Sequence, residues 1–260
     1  MMDRNDEERV NDRVDPARAE ALLATLGSVQ AIESGSELPV FAHHAYFWTP
    51  SAEADLGRDG HRATGGLVPD LGLPLRMWAG GRIRWHAPFR AGINAERFSR
   101  VTAVTRKEGR TGKLAFVTLR HEIRQRSQPV LTEDQDIVYR EAGELVNDAP
   151  AAAESPDERR ALKLSNITLF RYSALTFNAH RIHYDQSYCE REGYPGLVVH
   201  GPLMAMSLAL MAAERKPLEK FEFRATAPVY LGDVVWLCRA GERYWVEGPR
   251  RRLCMTATAE

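Results

Sequence analysis

The 260-residue sequence predicts an α+β chain made of two copies of one unit, each an antiparallel sheet curled around a long central helix. Three observations carry that prediction. First, from Leu203 to Ala213 only Ser207 is polar, and Met, Leu and Ala all favour helix. A helix apolar on every side must be buried on every side, and this one falls short of the about twenty residues that span a bilayer. Second, strand-like sequence rich in Val, Phe and Trp follows from Phe221 to Ala257 and can supply the sheet that buries it. Third, Arg84-x-x-Ala87-Pro88-x-x-x-Gly92 recurs as Arg224-x-x-Ala227-Pro228-x-x-x-Gly232, every matched pair 140 residues apart. A repeat at fixed spacing points to a duplicated unit.

Taken in order, residues 1–14 are mostly charged and read as a solvated, disordered tail. Asp15-Pro16 gives an N-cap and first helical position, and Leu22, Leu23 and Leu26 form an apolar face that stops at Gly27. The stretch from Phe41 to Gly66 mixes aromatics, His and Gly and fits no standard metal or phosphate motif. His43 and His44 would point apart on a strand, so they are not expected to share a ligand. Strands are predicted over Glu96–Arg106 and, after the Gly109/Gly112 turn, over Leu114–Ile123, with another near Asp136–Arg140. Residues 147–158 hold Pro150, Pro156 and an alanine run, and separate a unit at 15–146 from one at 159–260.

Composition excludes several classes. Formal net charge is zero, so nothing suggests an electrostatic nucleic-acid binder. Arg outnumbers Lys 30 to 5, a bias that a GC-rich genome explains as well as anion recognition does. Cys189, Cys238 and Cys254 are odd in number and lack CxxC spacing, which argues against a disulfide framework or a zinc site. No apolar run reaches membrane length and the first residues lack a signal-peptide core, so a cytoplasmic location is expected.

The chemistry concentrates between Leu169 and Leu210. Pro202 suits the first turn of the apolar helix, whose amino end carries unpaired N–H groups and partial positive charge. Gly201, at that end, lets a ligand oxygen approach the backbone. Upstream lies a polar cluster, Asn178, His180 and His183. Phe177-Asn178-Ala179-His180-Arg181-Ile182-His183 resembles the Gly-Asp-x-Asn-Pro-Ile/Leu-His motif of the MaoC-like hydratase 2 enzymes. Asn178 falls at their catalytic Asp and His183 at their catalytic His. Val198-Val199-His200-Gly201 matches their downstream His-Gly, and Gly201 lies 23 residues after Asn178. The departures (Phe for Gly, Asn for Asp, Arg for Pro) resemble a narrower branch. That branch contains mitochondrial-type 3-hydroxyacyl-thioester dehydratases and mesaconyl-C4-CoA or itaconyl-CoA hydratases. Thr176 to Asp185 and Gly193 to Leu203 are similar to its signatures, as is the first-half stretch from Glu133 to Arg140.

The resemblance implies a double hot-dog fold, an acyl-CoA substrate and hydration of an α,β-unsaturated thioester, with only the second unit catalytic. It implies that His183 takes the water proton at Cβ, Asn178 orients the water and the Gly201 N–H stabilises the thioester oxygen. His180 is expected to support them. A dicarboxylic acyl group would need a counter-charge, which Arg181 in the motif or Arg171, on an entering strand, is expected to provide. Arg84 and Arg224 are expected to pin the repeated turn instead. A zinc site of His180, His183 and Asp185 is the rival constellation, but it lacks the helical i, i+4 pair with an intervening Glu. No metal or other cofactor is expected, nor any nucleic-acid or membrane partner, and a homodimer is allowed. A thioesterase would need the carboxylate that Asn178 lacks, and a non-catalytic acyl-thioester binder would not need His183. A 3-hydroxyacyl-carrier-protein dehydratase is the alternative hydro-lyase.

Overall fold

A computed structural model describes residues 7–63, 66–109, 112–141, 143 and 149–260. In chain order its elements are β1 (Glu8–Asp12), α1 (Pro16–Thr25), β2 (Leu75–Trp85), β3 (Ala95–Gly109), β4 (Gly112–Gln125), β5 (Gln128–Arg140), β6 (Glu158–Leu162), α2 (Asn166–Leu175), α3 (Gln186–Arg191), α4 (Gly201–Ala213), β7 (Lys220–Ala225), β8 (Val235–Ala240), β9 (Arg243–Glu247) and β10 (Leu253–Ala259). The strands form one sheet in the order β1-β3-β4-β5-β2-β7-β10-β9-β8-β6, antiparallel throughout.

Read inward from its two edges, the sheet repeats itself: β1-β3-β4-β5-β2 from one side, β6-β8-β9-β10-β7 from the other. The halves meet where β2 pairs with β7, with Gly81 opposite Phe223 and Ile83 opposite Phe221. The echoed segment lies at this seam and in the turns that follow it. Gly92 and Gly232 both adopt positive φ, +69° and +99°, a backbone state that glycine enters without a Cβ penalty. Ile83 and Phe223, just before the echoed arginines, are buried, whereas Arg84 and Arg224 are exposed.

Helix α4 fills the second half and lies against β2, β7, β9 and β10. Leu203, Met206 and Leu208 have no exposed surface, and Leu210 is half-buried. Ser207, its one polar side chain, satisfies itself by donating to the Leu203 carbonyl at 2.8 Å. Leu208→Ala removes several buried methyl groups and leaves a cavity. It is expected to destabilise the fold by about 2–5 kcal/mol, measured by urea denaturation.

Two expectations need correction here. The first half has no counterpart of α4 among the described residues. Its equivalent stretch carries only short 3-10 turns, Ala42–Ala45 and Glu53–Asp55, because Pro50, Gly57 and Gly60 interrupt it and its apolar residues follow no helical period. The tail is corrected too, since Glu8–Asp12 is the edge strand β1, paired with β3 from Glu8↔Ser99 to Asp12↔Ala95. Its charges are those of a guarded sheet edge. Arg9 pairs with Glu96, and Asp12 accepts from the Val14 and Phe47 amides and holds Arg18 at 2.9 Å. Residues 1–6 of the expected tail, and 147–148 of the expected linker, lie outside the described residues. The rest of that linker is tied down, Ala152 donating to Arg251 and Leu253 to Pro150.

Candidate active site

Helix α2 starts with a reciprocal capping box between Ser165 and Thr168 and ends at Thr176. Phe177 then takes a left-handed conformation, φ +51°, which turns the chain back across the helix end. The Asn178 amide donates to Ser173 O at 2.8 Å, and its side-chain oxygen accepts from the His180 amide at 3.0 Å. This turn presents half-buried Asn178 to two neighbouring cavities. A short 3-10 turn, Arg181–His183, follows and sinks His183 into the interior.

His183 is held by its backbone neighbours. Its Nδ1 lies 2.7 Å from the Val198 carbonyl oxygen. A carbonyl only accepts, so Nδ1 carries the proton and Nε2 keeps a free lone pair. Burial pushes the imidazole pKa down to about 3, helped by nearby His180. His183 is therefore a neutral base across the physiological range. The His200 ring stacks on it at 3.6 Å between centroids, tilted by 21°. His200 is itself fully buried, hydrogen-bonded to Ser173 Oγ at 2.8 Å, and caps α4 by position.

Gly201 opens α4, with Pro202 in its first turn. A Cβ added to Gly201 would meet nothing nearer than the Trp78 carbonyl oxygen, 3.8 Å away. Protein packing thus does not require glycine there. The arrangement offers a neutral imidazole stacked on the N-cap histidine of α4, and a carboxamide five residues before it on the wall of a cavity that also reaches Pro202. That combination can take a proton from water while holding an oxygen that gains negative charge.

A model of the family "hydroxyacyl-thioester dehydratase type 2" matches residues 41–231. Mesaconyl-C(4)-CoA hydratase of Chloroflexus aurantiacus is 43% identical over 265 residues, covering 97% of this chain and 94% of that protein. The chain belongs to the hydroxyacyl-thioester dehydratase type 2 family. The mitochondrial hydroxyacyl-thioester dehydratase type 2 of Schizosaccharomyces pombe is 26% identical, covering 75% of each chain. A Mycobacterium tuberculosis protein described as a double hotdog fold superposes with a TM-score of 0.60 at 15% identity, covering 96% of this chain and 92% of that one. At that identity the likeness speaks for the fold alone, and the fold is a double hot-dog.

The other residues that sequence singled out in this family member are distributed differently. Arg171 is on α2, not on a strand, and its side chain is exposed. Arg181 turns outward, bound to Asp185 at 2.5 Å, over the Tyr188 ring, in a surface groove with Arg58 and Arg191. Neither borders the cavity that Asn178 and Pro202 share. His180, His183 and Asp185 do not converge on one point, because Asp185 caps α3 through the Tyr188 amide and pairs with Arg181. His180 instead meets His61, ring centroids 4.6 Å apart, and His61 Nδ1 lies 3.0 Å from Asp59. The loop that brings them is pressed so close that a Cβ on Gly60 would overlap the Ala179 carbonyl. Asp59, His61 and His180 are one of two described groups close enough to share an ion.

The second such group overturns the expectation for His43 and His44. They lie on the 3-10 turn Ala42–Ala45, entered through a left-handed Phe41 at φ +65°, so strand alternation does not apply. Both imidazoles reach Glu133, at 3.3 Å and 2.9 Å. These histidines hold the Glu133 carboxyl ionised, well below its usual range, although burial alone would raise it.

Proposed function

We propose that this hydro-lyase hydrates a short dicarboxylic acyl-CoA, mesaconyl-C4-CoA or a near relative, to citramalyl-CoA. The observation that carries the chemistry is the buried His183, fixed by Val198 with Nε2 unprotonated, beside the amino end of α4. Water positioned by Asn178 adds its oxygen to Cβ while His183 Nε2 accepts its proton. Electrons shift to the thioester oxygen, which faces the Gly201 end of the helix. The proton, carried by His183 or relayed through water, returns to Cα, so the product differs from substrate by one water. The substrate follows from the 43% identical relative and from the branch signatures. No helix of the described residues is long and apolar enough to cross a membrane, and the three cysteines are buried and free, which suits a cytoplasmic enzyme.

The deciding assay compares mesaconyl-C4-CoA with crotonyl-CoA and a medium-chain enoyl thioester. The expected result is the highest kcat/KM on mesaconyl-C4-CoA. Clear preference for the medium chain would replace this substrate with that of a fatty-acid dehydratase.

A further inference from the structure

Beyond Asn178 and Pro202 lies a cavity of about 280 Å³ whose far wall is unusually polar for an acyl pocket. It is lined there by His43, His44, Arg97, Glu133 and Tyr172. Four buried polar atoms of this wall have no hydrogen-bond partner, His43 Nε2, His44 Nδ1, Arg97 Nε and the Tyr172 hydroxyl, of which His43 Nε2 lies 3.3 Å from Glu133. Tyr172 is 1% exposed. Burying polar groups unpaired is unfavourable, so a cluster of them on one cavity wall points to a ligand.

Arg97 Nε–H and the Tyr172 hydroxyl can donate, and His44 keeps Nδ1 without a hydrogen-bond partner while its Nε2 lies 2.9 Å from Glu133. Arg97 lies 3.6 Å from Glu8 through Nη2 and feels the Glu133 charge, while its Nε has no hydrogen-bond partner. The wall therefore presents one cationic donor, Arg97, and a hydroxyl, with the Glu133 carboxylate already contacted by His43 and His44. A second carboxylate is the ligand this set fits, and an uncharged alkyl end would leave every donor unsatisfied. Placement agrees with the chemistry. In a C4 thioester of mesaconate the free carboxylate is bonded to Cβ, the carbon that must face Asn178 and His183. From that position it projects into the cavity that Asn178 borders.

We propose that Arg97 and Tyr172 form a carboxylate subsite that holds the free acid of the substrate and sets specificity for dicarboxylic acyl groups. It rests on the hydratase reading for the position of Cβ, and replaces Arg181 and Arg171 in that role.

The test measures binding separately from turnover. 3-Methylcrotonyl-CoA is mesaconyl-C4-CoA with the carboxylate replaced by methyl. Affinities for both are measured by calorimetry on His183→Gln protein, then on the same protein carrying Tyr172→Phe or Arg97→Gln. Tyr172→Phe removes a hydroxyl that bonds nothing in the fold, so it guards against an Arg97 variant that fails to fold. The expected result is at least tenfold preference for mesaconyl-C4-CoA before the second substitution, reduced about tenfold or more by each. Equal affinities at the outset, or parallel losses on both ligands, would overturn the subsite. If the preference and its loss are found but wild-type protein does not hydrate mesaconyl-C4-CoA, the subsite stands and the hydratase substrate falls.

Discussion

His183→Gln is expected to lower kcat on mesaconyl-C4-CoA by ~10²–10⁴-fold, the usual contribution of a general base, while the protein stays folded. Glutamine is the better probe than alanine, because the polar loop around His183 does not make it a surface residue. The imidazole is buried, bonds the Val198 carbonyl and stacks on His200, so alanine would also open a void. A glutamine side chain can keep the bond to Val198 but has no basic nitrogen to accept a proton. His183→Ala should show the same loss of rate with a lower melting temperature. Asn178→Ala is expected to lose less rate than either, because it removes an orienting group but no proton carrier. If His183→Gln retains most of its kcat under saturating substrate, another group takes the water proton and the assignment fails.

The apolar helix was legible in the sequence because burial on all sides leaves an unambiguous pattern, and α4 begins at Gly201 as that pattern required. The duplication was legible because both copies need a glycine in the same strained turn. The candidate pair, Asn178 and His183, rests on motif resemblance, and periodicity could not have supplied it. What stayed hidden depends on long-range contacts. β1 looks like a tail in the sequence because an edge strand carries the same charges as a solvated segment. Strand alternation places His43 and His44 on opposite faces, because the left-handed Phe41 that starts their tight turn gives no signal in the sequence. His200 was visible as a motif letter, yet its stacking on His183 joins residues on different elements. Arg181 is close to His183 in sequence, but the 3-10 turn that buries His183 sends Arg181 the other way, toward Asp185.

Mild acid is expected to unfold this protein above the pH at which its carboxylates titrate. Six histidines (His43, His61, His121, His180, His183 and His200) are held below the ordinary value, in each case chiefly by burial. For His183 the folded pKa is about 3 and for His121 about 4, against about 6.5 in an unfolded chain. Between those values the unfolded chain binds a proton that the folded one excludes. Stability is therefore complete above about pH 6.5 and declines as pH falls, by about 1.4 kcal/mol per unit for each such histidine. At pH 5 that amounts to about 2 kcal/mol for each of His183 and His121, a sizeable part of the roughly 5–15 kcal/mol that stabilise a domain. Glu133, also held below its ordinary value, acts in the same sense, but its contribution is lost only as pH falls into the carboxylate range, so it adds little to the decline above pH 5. Urea midpoints measured from pH 7.5 to 5 should fall steeply below 6.5, while kcat stays flat from pH 6 to 8 because His183 is already neutral. His183→Gln should make the stability slope shallower by about 1.4 kcal/mol per pH unit. A midpoint at pH 5 equal to that at pH 7 would mean that these imidazoles are solvated or paired in the folded protein, and that His183 is not the buried neutral base required for hydration.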